Sequence, residues 1–215
     1  MVQIQTIWAA HNWIDMLKAV HKLVLIPVLA LSTGFFISMV ETTVGPQMEL
    51  YPEHLAGAFT GGFGEETCHS CHFDYDLNWE EGNLSVYGIP DVIEENRVYE
   101  FEIIIQREDL MKAGFQLSAR YADGSQAGTF QLDKNDRVMF TQQVLDSLQY
   151  LQHSKQGILP LEDGENRWDV VWKSPELIPD TIHFHIAANA ANGDQSEFGD
   201  WIYKQSFKVN KKSHE

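Results

Sequence analysis

Thr181-Ile182-His183-Phe184-His185-Ile186 alternates polar and apolar residues without a break. Successive side chains of a strand point to opposite faces, so Ile182, Phe184 and Ile186 share one face and His183 and His185 take the other. One apolar face and one polar face is the pattern of an antiparallel sheet with a single buried side. Residues 84–87, 98–106, 115–121, 128–132, 138–141, 168–172 and 201–209 have the same character. Each is short, rich in β-branched and aromatic residues, and bounded by Gly, Asn, Asp or Pro. Strands of this length and spacing predict an all-β, antiparallel β-sandwich. One segment departs from the pattern: within residues 142–152, Val144, Leu145, Leu148 and Leu151 fall at helical spacing and predict a short helix or turn.

With 215 residues, 44% of them hydrophobic, the chain can bury one good core, and it contains neither a repeat nor a low-complexity tract. Three stretches are expected: a leader over 1–44, a linker and irregular loop over 45–82, and the sandwich over 83–212. Residues 23–40 carry no charge and follow Lys18, His21 and Lys22, the layout of a basic n-region before an apolar h-region. The run is long for a signal peptide and at the lower limit for a spanning helix. A buried core helix is the competing reading; no Ala-x-Ala site follows the run, so a cleaved signal and an uncleaved membrane anchor both stay open as leaders, and a start at Met16 would give a more ordinary one. Either places the rest of the chain on the periplasmic or extracellular face. Beyond Gly45 lie 13 basic and 29 acidic residues, so this part carries all of the net charge of −16. Such a surface repels nucleic acid and anionic membrane and favours basic partners.

The two cysteines of the chain lie in Cys68-His69-Ser70-Cys71-His72. Cys-x-x-Cys-His is the attachment signature of a c-type haem. Each thiolate adds to one porphyrin vinyl group, and the imidazole that follows becomes the proximal iron ligand. Other uses of Cys-x-x-Cys fit less well. A structural zinc site asks for a second ligand pair, which only a mixed set drawn from the nine histidines could supply. A thioredoxin-like pair opens a helix in a βαβ unit, whereas this one follows Gly57, Gly61, Gly62 and Gly64 and precedes Asp74 and Asp76. A plain disulfide is the remaining alternative. Haem attachment agrees with export, which removes the motif from a reducing cytosol.

The order of landmarks is specific. Gly57-Ala58 and a Gly-rich stretch lead to Glu66-Thr67-Cys68, and Gly114-Phe115-Gln116-Leu117, Ala127-Gly128, His153-Ser154, Trp172-Lys173-Ser174-Pro175 and Ala187-Ala188-Asn189-Ala190-Ala191-Asn192-Gly193-Asp194 follow. This series resembles the bacterial Reeler-like (reelin N-terminal-like) domain family that carries a Cys-x-x-Cys-His motif, over residues 57–209. The resemblance implies an Ig-like sandwich bearing one haem c. Two departures stand out. The family's Gly-Ala-Pro-Gly-Glu is here Gly57-Ala58-Phe59-Thr60-Gly61-Gly62-Phe63-Gly64, a longer loop, and its frequent His-Thr is here His153-Ser154.

A haem iron held by His72 takes a sixth ligand or leaves that position open. His153, on a polar stretch far from the motif and at the family's matching position, is the candidate. Met139 and Met111 are the methionine alternatives, with core packing the competing reading for Met139. His183 and His185, spaced i and i+2, read as a half-exposed strand face that could also clamp a metal such as copper or bring one imidazole to the haem edge. His69 reads as solvent-facing, and His54 has no evident role. Phe63, Phe73 and Tyr75 are expected to cover the apolar porphyrin. The expected function is that of an exported or membrane-anchored monohaem cytochrome c passing single electrons to or from a redox partner protein, including a partner within a larger respiratory or membrane complex. Two alternatives are a haem-based sensor or enzyme with an open sixth position and a surface adhesion or assembly module carrying a haem. No acid/base constellation supports the enzyme.

Overall fold

The computed structural model describes residues 57–213 apart from 133, 135, 142–146 and 180. The segment 1–44, with its expected signal or anchor, and His54 lie outside the described residues. The strands are β1 (Gly82–Tyr87), β2 (Val92–Ile93), β3 (Val98–Arg107), β4 (Lys112–Arg120), β5 (Thr129–Gln131), β6 (Val138–Phe140), β7 (Leu151–His153), β8 (Glu165–Lys173), β9 (Ile182–Ala191) and β10 (Trp201–Lys211). They form a four-stranded sheet, β1-β3-β8-β5, and a six-stranded sheet, β2-β10-β9-β4-β7-β6. Pairing is antiparallel except for the short β2 alongside β10. The chain is an all-β sandwich.

The alternation that predicts the sandwich also builds its core. Ile182, Phe184 and Ile186 are fully buried, facing Ile103 and Ile105 of β3 and Trp168 and Trp172 of β8. Across the two sheets Phe115 meets Trp168 with ring centroids 4.7 Å apart, and Trp172 meets Phe184 edge-on at 5.0 Å. Burying an indole strands its N–H unless a partner is supplied. Trp168 Nε1 donates to Gly157 O at 2.9 Å and Trp172 Nε1 to Ala127 O at 3.1 Å.

Each of the eight runs expected from the sequence contains a strand, with ends displaced by a few residues. The segment 142–152 differs from expectation. Its first residues lie outside the description, but Leu151–His153 is a strand paired with β4 and with β6. Leu151 is buried between these neighbours, so a strand stands at the end of the segment where a short helix or turn was expected. Among the described residues, the 3-10 turn Cys68–Ser70 is the only helical segment, and no helix is long and apolar enough to cross a membrane.

The outer face of the six-stranded sheet positions the site. In the β4–β9 register Gly114 sits opposite Asn189, Gln116 opposite Ala187, Ser118 opposite His185 and Arg120 opposite His183. These residues face away from the core, yet Gln116, Ser118, Arg120 and Ala187 are buried. Residues 57–67 lie over them as a cap. Phe59 N–H donates to Gln116 Oε1 at 2.5 Å, Gln116 Nε2 donates to Gly57 O at 3.0 Å, and the hydroxyls of Thr60 and Ser118 are 3.3 Å apart.

Candidate functional site at the Cys68 to His72 turn

Thr60 and Thr67 form an isolated antiparallel bridge, so the cap doubles back and delivers the chain to Cys68. Thr67 then starts the turn as an N-cap, its Oγ1 accepting from His69 N–H at 3.2 Å, which satisfies an otherwise unpaired donor. The N–H groups of Cys71 and His72 both donate to Cys68 O, at 3.3 and 3.0 Å. In a 3-10 turn residues three apart eclipse, which aligns Cys68 with Cys71. Both cysteines are free thiols. Burial pushes the Cys68 thiol up to about 12, while Cys71 is exposed.

His72 is anchored from behind. Its Nδ1 lies 2.8 Å from Oδ2 of Asp200, a side chain 2% exposed. Asp200 also accepts from Asn189 Nδ2 at 3.1 Å and, through Oδ1, from Asn192 N–H at 3.1 Å. Asn189 Nδ2 approaches His72 Nδ1 to 3.5 Å. A carboxylate only accepts, so the proton of the His72–Asp200 bond belongs to Nδ1 and the ring's lone pair belongs to Nε2. That is the tautomer a metal-binding imidazole needs, with the outer-shell carboxylate that commonly enforces it.

The segment after the motif is tied to the start of β10. Gly199 N–H donates to Asp74 Oδ2 at 2.8 Å, Asn78 N–H to Ile202 O at 2.9 Å, and Lys204 N–H to Asn78 Oδ1 at 2.6 Å. Tyr75 stacks on Trp201 at 4.1 Å, and the Arg107 guanidinium lies over the same indole. Phe73 meets Phe198 edge-on at 6.1 Å, and both are about half exposed. With Leu77 and Trp79 they place exposed apolar area on the segment that follows His72. His69 Nε2 lies 2.8 Å from Tyr75 O.

The other sequence-selected residues fall into separate groups. His153 ends β7 and is 7% exposed, so it is a buried strand residue and not the polar loop histidine expected. Its Nδ1 is 3.0 Å from Phe115 N and 3.1 Å from Phe115 O. Burial holds its pKa below the ordinary histidine value, favouring the neutral ring. The ring lies over Gly114, where a Cβ would come within 2.6 Å of it, so the position requires glycine. Gly114 in turn pairs with Asn189, which touches His72. Adjacent strands thus bring His153 and His72 to the same part of the sheet face.

Phe63 stands at the tip of the cap, edge-on to His185 at 5.3 Å and to His183 at 6.2 Å. Gly62 lies against His185, whose ring leaves no room for a Cβ. The two histidines form the half-exposed strand face expected, with Phe63 packed against both. Desolvation first, then the neighbouring His183, lowers the pKa of His185. Met139 is half-buried in β6 and Met111 is exposed. Among the described residues no three or more His, Cys, Asp or Glu side chains gather to hold a metal ion by themselves.

Sequence reasoning missed Asp200 and the lock that fixes the cap, and it named Gly114 and Asn189 only as landmarks, with no role at the site. Glu65 pairs with Arg120, accepts from Tyr150 OH at 2.6 Å, and accepts from Thr60 Oγ1. Arg120 and Tyr150 are buried. Asn189 lies in the Asn-rich stretch already singled out by resemblance, but Asp200 is one carboxylate among 31 acidic residues and no local pattern marks it.

No protein-family model matches the chain, and no curated protein matches it. Among solved structures it is similar to the human F-spondin reeler domain, at 17% identity over 64% of this chain and 93% of that one, with a TM-score of 0.43. Another structure, of the Reelin-N domain of F-spondin, gives 15% identity over 67% and 97%, with a TM-score of 0.44. A cohesin module from a Clostridium perfringens family 33 glycoside hydrolase gives 14% identity over 62% and 98%, with a TM-score of 0.38.

Proposed function

We propose that this chain is a monohaem c-type cytochrome on a Reeler-like sandwich, passing single electrons to or from a redox partner at the face that carries residues 68–79. One observation carries the reading. In Cys68-x-x-Cys71-His72 two free thiols stand on one capped turn, and His72 Nδ1 lies 2.8 Å from Asp200 Oδ2. The donor set fits a haem: each S–H adds across one vinyl C=C to give a thioether, and Nε2 of His72 supplies the proximal ligand. When bound, the iron supplies a one-electron couple, and the protein's part is ligation, burial and orientation.

His153 is the sixth ligand in this reading. Its support is burial, neutrality and a position one strand from the Asn189 contact with His72. An Nδ1–H donating to Phe115 O leaves the lone pair on Nε2, as a ligating histidine requires. Phe73 and Tyr75, together with Phe63 of the cap, provide apolar cover. The chain is exported to the periplasmic or extracellular face, with its N-terminal segment as the membrane association. A basic partner, alone or as a subunit of a larger respiratory or membrane complex, suits its net charge of −16.

A second reading rests on the other tautomer of His153. If Nδ1 accepts from Phe115 N–H, the proton sits on Nε2, the ring cannot ligate, and the sixth position is open to small ligands. Carbon monoxide added to the ferrous protein separates the two: little binding is expected of the six-coordinate cytochrome, and stoichiometric binding would establish the open site. The broader proposal is tested by intact-mass analysis after expression with a cytochrome c maturation system. One haem is expected on the wild type and none on Cys68→Ala/Cys71→Ala; an unmodified wild-type mass would refute it.

A further inference from the structure

We infer that Asp200 is a positioning residue that fixes the ring of His72 and sets the reduction potential of the group His72 holds. The inference rests on the haem reading above. Asp200 is among the least exposed charged side chains of the described residues, and all its bonds converge on one purpose. Asn192 N–H holds Oδ1 at 3.1 Å, Asn189 Nδ2 holds Oδ2 at 3.1 Å, and the remaining acceptor capacity of Oδ2 meets His72 Nδ1 at 2.8 Å. With both oxygens restrained, the carboxylate cannot swing away, and the His72 ring can rotate only by breaking a charge-assisted bond. Trp201, next in sequence, is stacked on Tyr75, which closes the wall beside it.

A backbone carbonyl would orient the ring equally well. A carboxylate does more: it shifts electron density through the imidazole toward Nε2, making it a stronger donor to the metal. A stronger donor stabilises the oxidised iron more than the reduced iron, so the potential is held low. Asn189 moderates this effect, because the bond it donates to Asp200 draws charge away from His72.

The two neighbours therefore predict shifts of opposite sign. In holoprotein carrying covalent haem, Asp200→Asn should favour reduction about tenfold, a rise of about 59 mV for one electron. Asn189→Ala should shift the potential the other way. Asp194→Asn, which removes an exposed charge from the same loop without touching His72, should leave it nearly unchanged. A shift in Asp200→Asn no larger than in Asp194→Asn would overturn the inference while the haem reading stands. In the apoprotein, ¹⁵N shifts of His72 give a readout that needs no haem: an Nδ1–H tautomer is expected in wild type, and an Nε2–H tautomer would contradict the proposed orientation. Absence of covalent haem in wild type would instead remove the reading on which the inference rests.

Discussion

His153 and His185 each sit where a positive charge is disfavoured. Desolvation dominates at both, with a minor opposing bond to Phe115 at His153 and the neighbouring His183 as a further lowering influence at His185. A histidine whose folded pKa lies below its unfolded value takes up its proton in the unfolded chain first. The stabilisation is therefore complete above about pH 6.5 and is lost as pH falls toward the folded pKa values. Melting temperatures of the apoprotein should fall as pH drops below about 6.5, and His185→Gln should flatten part of that dependence. A pH-independent melting temperature from neutral to mildly acid pH would contradict this account of the two sites. At this scale the sequence exposed the contiguous motif and hid its support. Cys68, Cys71 and His72 are legible because one helical turn brings consecutive residues together. Asp200 and Asn189 reach His72 through sheet register and a loop, which no local spacing encodes.

The cap over residues 57–67 leads directly into the Cys68–Ser70 turn. It rests on the outer face of β4 and β9 and is locked by Glu65 against Arg120, Tyr150 and Thr60. Glu65 and Arg120 side chains are 11% and 6% exposed, so removing one partner leaves the other charge buried and unmatched. Glu65→Ala should cost about 3–5 kcal/mol in urea unfolding, whereas breaking a solvent-exposed pair such as Lys212–Glu94 should matter little. Faster amide exchange over Thr60–Thr67 should accompany it, and a loss below about 1 kcal/mol would show that the lock is unimportant. Eight strands were legible because each lies in a run of β-branched and aromatic residues bounded by turn residues. β2 has only two residues, and β7 closes a segment whose apolar residues fall at helical spacing, so neither stood out. The cap was not legible either: its glycines read as an irregular loop, and the sheet face it covers read as polar and wet because Gln116, Ser118 and Arg120 are polar.

For the whole molecule, fold class and charge were both visible in the sequence, since each is a sum over many residues. The net charge of −16 includes a groove bordered by Glu80, Glu81, Glu108, Glu162, Asp163 and Glu165. A field of this sign speeds encounter with a basic partner and is screened by salt, the Debye length falling from about 30 Å at 0.01 M to about 8 Å at 0.15 M. Stopped-flow electron transfer with a basic redox protein should slow steeply over that range, and a rate independent of ionic strength would remove electrostatic steering from the account. The sandwich supplies the frame that holds the Cys68 to His72 turn against its carboxylate support. The central claim is that His72 and His153 hold a covalently attached haem on this frame. The most direct measurement is the reduced-minus-oxidised visible spectrum, with a pyridine haemochrome assay, of wild type and His153→Ala produced with a cytochrome c maturation system. One haem per chain, low-spin in wild type and high-spin in the variant, is the predicted result; no covalent haem in wild type, or an unchanged low-spin spectrum in the variant, would contradict it.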